Sequence, residues 1–157
     1  MDKQSIILAG LTGTAVMTAF MYGLTFLTQR VMKVVKILGT MLTFQTSLDG
    51  QLSDTPLAIA VGLVAHYLIG IGFTFVYAAL WQADLGHPTF AFGVVAGFFS
   101  GMVGVLVWRL FFAIHPKAPT TIPLQSYLVT LLLAHVVFGV AVVATYQFLT
   151  SQQLKIN

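Results

Sequence analysis

Four long runs of apolar residues dominate the chain, at Ile6 to Leu27, Pro56 to Trp81, Phe90 to Ile114 and Pro123 to Leu149. Each exceeds the roughly 20 residues that an α-helix needs to cross the hydrocarbon of a bilayer. The pattern therefore predicts four transmembrane spans, at about 6–27, 56–81, 90–114 and 123–149. Polar, breaker-rich segments separate them, Gln45 to Thr55, Gln82 to Thr89 and His115 to Thr121, and these read as loops. Between the first span and the first loop, Arg30, Lys33 and Lys36 recur every three residues among Val, Met, Ile and Leu. That spacing predicts an interfacial helix over about 29–44 with its cations toward lipid phosphates, and it equally fits a cytoplasmic extension of the first helix.

Composition sharpens this. The 157 residues are 58% hydrophobic and 7% charged, against about a quarter charged in an ordinary soluble domain. The fold class expected is an all-α integral membrane protein, a single transmembrane domain over 1–157 whose partner is the lipid bilayer. The first run is longer than a signal-peptide core, has one lysine before it and no small-residue cleavage site after it, so it reads as a retained helix. Arg30, Lys33, Lys36, Arg109 and Lys117 fall on one side of the spans, Lys3 and Lys155 on the other. Since cytoplasmic loops collect Lys and Arg, both termini are expected outside the cytoplasm, as in a bacterial inner-membrane protein. This bias accounts for the net charge of +3 without a nucleic-acid role.

Chemistry is sparse. There is no cysteine, and the only acids, Asp2, Asp49, Asp54 and Asp84, lie outside the spans. That removes thiolate metal sites and a carboxylate proton relay from consideration. No His-Glu-x-x-His run or intramembrane aspartate pair is present, and Ser100 has no evident base, so no hydrolase or transferase signature stands out. Gly93, Gly97, Ser100, Gly101 and Gly104 in the third span, with a weaker set at Gly10, Gly13 and Thr14, read as close-packing surfaces.

The second and fourth spans share Ala-His-x3-Gly-x6-Tyr, as Ala65, His66, Gly70, Tyr77 and as Ala134, His135, Gly139, Tyr146. Offsets of four and eleven return to nearly one azimuth of a helix, so each set forms a stripe. The repeat predicts an up-down bundle of two tandem helical hairpins related by a pseudo-twofold axis. Both histidines fall near the middle of their spans, at matching depth, on helices expected to be diagonal and roughly 12 to 14 Å apart when neighbours are about 8 to 10 Å apart. Two imidazoles cannot meet across that gap, but a flat group between them could be held by both.

This pair of inward histidines with nearby glycines resembles the haem-binding core of membrane-bound b-type cytochromes, over the two spans alone. The resemblance implies one haem b as cofactor and metal centre, with His66 and His135 as axial ligands. It also implies that Gly70 and Gly139 make room for the ring, that Arg109 meets a propionate, and that electrons pass to a quinone or a redox partner protein. The competing readings are a structural or assembly subunit, possible also as a homo-oligomer, whose histidines are hydrogen-bonding helix glue, and a small transporter suggested by the parallel repeat. A bare metal would need help from Met17, Met21 or Met102. Tyr77 and Tyr146 are expected in an interfacial aromatic belt, and His87 and His115, each followed by proline, are expected in water.

Overall fold

The computed structural model describes residues 2–30 and 32–156, with side chains through Gln152. Among the described residues all regular structure is helical, in the order α1 (Lys3–Thr28), α2 (Val34–Leu42), α3 (Pro56–Gln82), α4 (Phe90–Ile114) and α5 (Leu124–Ile156). Four of these, all but α2, are long and apolar enough to cross a membrane. At about 1.5 Å per residue each spans more than the roughly 30 Å of hydrocarbon. Their outer faces carry Leu, Ile, Val and Phe in quantity, including Leu68, Val76, Leu106 and Leu110, all more than half exposed. A water-facing surface does not tolerate so continuous an apolar coat. Lipid does.

Local chemistry sets where the helices begin. Asp2 accepts hydrogen bonds from the amides of Gln4 and Ser5 at the start of α1. Thr55 caps α3 through the Ala58 amide with Pro56 in the first turn, and Thr89 caps α4 through the Phe92 amide. Each side-chain oxygen satisfies an amide that the helix itself leaves unpaired. α1 stops at Gln29, whose φ of 54° is left-handed, a conformation that ends helices.

That turn separates α1 from the basic segment that follows. The segment forms a helix shorter than 29–44, it does not extend α1, and it does not lie open on a surface. Seven of its nine residues are buried. Gly39 of α2 backs onto the Ala58 carbonyl of α3, and Gly62 of α3 lies against Val35 and Gly39 of α2, a glycine-to-glycine contact that brings the two backbones together. Lys36 reaches out to pair with Asp54, and Arg30 donates to Ser126 Oγ at 2.7 Å.

The buried stripe of α3 runs at every fourth position, Ala58, Gly62, His66, Gly70, Thr74 and Ala78. Its lower part faces α2; its upper part faces α1, with Gly70 against Thr14 and Gly10 against Ile71 and Thr74. These pairings make α1 and α3 antiparallel. α4 and α5 are likewise antiparallel, with Gly93 against Gly139 and Val140, Gly97 against His135 and Val136, and Gly101 against Leu132. α1 also packs on α5, where Gly13 admits Phe138 and Val142. The helices thus touch in the order α3, α1, α5, α4. α3 and α4, though consecutive, do not pack closely backbone to backbone; large side chains link them near their connecting turn, where Phe92 of α4 meets Tyr77 and Trp81 of α3.

Two departures from expectation follow from packing. Tyr77 and Tyr146 are 2% and 7% exposed, inside an aromatic cluster with Trp81, Phe92 and Phe138, not in an outer belt. His115 is buried, not solvated: its ring stacks on Phe44, its Nε2 lies 2.8 Å from the Met41 carbonyl and its Nδ1 accepts from the Lys117 amide. It fastens the 115–123 loop to the end of α2. Gly50, with φ of 72°, completes this cap by accepting from the Thr120 amide and the Thr121 hydroxyl.

Candidate functional site

His66 and His135 line the same cavity. It has a volume of about 320 Å3 and is walled by all five helices: Thr14 and Met17 of α1, Val34 and Leu38 of α2, Ile69, Gly70 and Phe73 of α3, Gly104 and Trp108 of α4, and Leu131 and Phe138 of α5 stand with the two imidazoles. That size suits a small organic molecule. Among the described residues no charged side chain lines it. Ile69, Val103 and Val107 both line the cavity and are at least half exposed on the outer surface, so the mouth lies in the seam between α3 and α4.

The two rings are held differently although their sequence settings match. Gly70 of α3 meets Thr14 of α1, and Gly139 of α5 meets Gly97 of α4. One turn along each partner helix stands Thr18 in α1 and Gly101 in α4. His66 therefore finds a hydroxyl: its Nε2 is 3.0 Å from Thr18 Oγ1. His135 finds none, and its Nδ1 turns back to the Leu131 carbonyl at 2.8 Å. Gly101 and Gly104 leave room for it, Gly104 lying against the Cε1 and Nε2 edge of the ring, and Phe73 meets it edge to face at 5.9 Å.

Hydrogen-bond arithmetic then assigns the free nitrogens. A carbonyl only accepts, so His135 Nδ1 carries the proton and Nε2 is a bare acceptor. Thr18 donates its single proton to the Thr14 carbonyl at 2.7 Å, so His66 Nε2 donates to Thr18 and Nδ1 is the bare acceptor. Neither nitrogen has a protein hydrogen bond, and neither is sealed off by protein atoms; among the described residues only Trp81 Nε1 and Tyr127 OH are both sealed and unpaired. Both histidines are 7% exposed.

The remaining candidates divide. Gly70 lines the cavity, but its missing side chain serves Thr14; Gly139 lies outside it, against Gly93 and Gly97. Arg109 is exposed and borders a separate surface recess beside Pro119 and Thr120. Of the methionines only Met17 lines the cavity; Met21 is buried elsewhere and Met102 is half exposed. Among the described residues no three His, Cys, Asp or Glu side chains gather to hold a metal ion. Ser100 donates to the Gly97 carbonyl and accepts from Tyr77 OH at 2.8 Å, away from both imidazoles. Thr18, Phe73 and Trp108 were not singled out in the sequence. For Thr18 a signal existed, a hydroxyl one turn beyond Thr14, though the same span also carries Thr12, Tyr22 and Thr25.

Comparison of the chain with known protein families, with curated proteins and with solved structures finds no match.

Proposed function

We propose that this chain is a membrane protein that holds a small, mostly apolar molecule between two tandem hairpins, α1 with α3 and α4 with α5, arranged as an up-down bundle with a pseudo-twofold repeat. The equivalent contacts of Gly70 with Thr14 and of Gly139 with Gly97 support the repeat. Under such a twofold the counterpart of the closed α1–α5 contact is the open α3–α4 seam, and that difference supplies the entrance. In the orientation that goes with this reading, the end bearing α2 and Lys117 faces the cytoplasm of a bacterial cell and both termini lie outside.

One observation carries the proposal: two imidazoles, each more than nine-tenths buried, share one apolar cavity, and each keeps one nitrogen unpaired. A purely structural role explains the bonds to Thr18 and to Leu131. It leaves two acceptors that are open and without protein partners among the described residues. A guest that meets them accounts for both histidines.

A second reading, haem b between the histidines, is favoured by His135, whose ring is oriented through Nδ1 and leaves Nε2 open, as metal-bound histidines commonly are. It requires His66 to release Thr18 and present Nε2, and it draws nothing from Gly139 or Arg109. Bound haem would supply one-electron chemistry, with a quinone or a redox protein as partner. Purification from a host with ample haem, followed by an optical spectrum and native mass spectrometry, tests both readings. A Soret band lost in His135→Ala supports haem, whereas a bound mass without a Soret band supports another apolar guest. No retained or added small molecule under any condition refutes the binding role.

A further inference from the structure

We infer that the guest is a neutral, lipid-soluble molecule whose head donates hydrogen bonds through hydroxyl groups, a phenol or alcohol on an apolar tail, entering sideways from the bilayer between α3 and α4. The inference rests on the cavity being a binding site, and it specifies the chemistry of the occupant.

The two imidazole nitrogens left over in the cavity are of one kind, and the indole of Trp108, which also lines it, adds one N–H without a protein partner among the described residues. His66 Nδ1 and His135 Nε2 both accept, because their partner nitrogens spend the ring protons on Thr18 and Leu131. The Thr14 hydroxyl is committed to the Gly10 carbonyl at 2.7 Å. A ligand offering only acceptors, such as a ketone or an ether, could meet the Trp108 N–H but would leave both imidazole nitrogens unpaired. A hydroxyl satisfies a nitrogen directly. Charged heads are disfavoured on separate grounds: among the described residues none that lines the cavity is charged, and an unpaired ion in an apolar site is expensive.

The entrance points to the same class. Ile69 on α3 and Val103 and Val107 on α4 belong at once to the cavity wall and to the lipid-facing surface, so a tail can remain among acyl chains while the head reaches the imidazoles. Loops and α2 close the cytoplasmic end, where His115, Phe44 and Met41 interlock. The aromatic cluster of Tyr77, Trp81 and Tyr146 closes the other.

The test compares 4-nonylphenol with its methyl ether, 4-nonylanisole, on full-length protein in lipid nanodiscs, read by calorimetry and by the fluorescence of Trp108 in a Trp81→Phe background. The two probes share shape and tail and differ by one donor. The phenol is expected to bind about 2- to 13-fold more tightly, the worth of one hydrogen bond. His66→Leu and His135→Leu, checked for a monodisperse elution profile, should together erase the difference while anisole binding persists. Val103→Phe, which narrows the mouth, should slow the association of both probes. Equal affinity, or tighter binding of the anisole to the wild-type protein, overturns the donor assignment and leaves a bare apolar cavity. Failure of both probes to bind, with no guest found by mass spectrometry, overturns the binding role itself.

Discussion

Substituting Gly97 by alanine tests how α4 presents itself to the helix that carries His135. A β-carbon at Gly97 would stand 2.5 Å from the His135 carbonyl oxygen and 2.8 Å from Val136 Cα. Both are backbone atoms, so no side chain can swing aside and the helices must separate by roughly an ångström. Overpacking of this kind costs about 1 to 3 kcal/mol. Replacing a helical glycine by alanine returns about 0.5 to 1 kcal/mol, leaving a net loss of about 0 to 2.5 kcal/mol. Gly72 on α3 is the control, because nothing lies within 4 Å of the β-carbon position; there only the helix term applies, and Gly72→Ala should gain up to about 1 kcal/mol. Reversible unfolding in mixed micelles with rising dodecyl sulfate, followed by circular dichroism, measures both. Because the helix term is common to both, Gly97→Ala should lie about 1 to 3 kcal/mol below Gly72→Ala. If the two variants are equally stable, then α4 and α5 do not approach as closely as described, and the placement of His135 falls with them.

His115→Ala should destabilise the cap formed by α2 and the 115–123 loop by about 1 to 3 kcal/mol, because it strips a hydrogen bond from the Met41 carbonyl and the stacking partner from Phe44; hydrogen exchange should quicken in 44–55 and 115–121, and unchanged protection there would contradict the interlock. A double-mutant cycle of Tyr77→Phe and Ser100→Ala should return a coupling of about 0.5 to 1.5 kcal/mol, and zero coupling would mean the bond is not formed. Asp54→Asn should change stability by less than about 1 kcal/mol, with the effect vanishing in high salt, since the Asp54 side chain is 74% exposed. Because the chain has no cysteine, single cysteines report topology cleanly. Leu48→Cys should be shielded from an impermeant maleimide in intact bacterial cells and Leu85→Cys labelled, both sites being exposed at opposite ends, and the reverse pattern would invert the orientation.

The spans were legible because hydropathy over twenty residues is a property of the chain alone, and the starts of α3 and α4 agree with Thr55, Pro56 and Thr89 as read in the sequence. The histidine stripe was legible for the same reason: offsets of four and eleven hold in any α-helix. The role of the glycines beside it was not. Gly70 and Gly139 precede nothing in the chain that reveals whether the vacated space belongs to a ligand or to a neighbouring helix, and the packing gives it to Thr14 and to Gly97. His115 was misread as solvated because a histidine before a proline looks like a loop residue, and burial of a loop depends on what folds over it, here Phe44 and α2.

From the order of residues alone come the helical class, the four membrane-length spans, the lack of acids and thiols within them, and the pairing of His66 with His135 at like depth. All of these depend on composition and on the pitch of a helix, which are local. Tertiary structure alone decided that α2 folds inward, that α3 and α4 stand apart and open a seam, and that Thr18 binds one imidazole while Gly101 leaves the other to its own backbone. Those outcomes depend on which surfaces meet across the bundle, and small residues permit a close approach without specifying the partner that makes it.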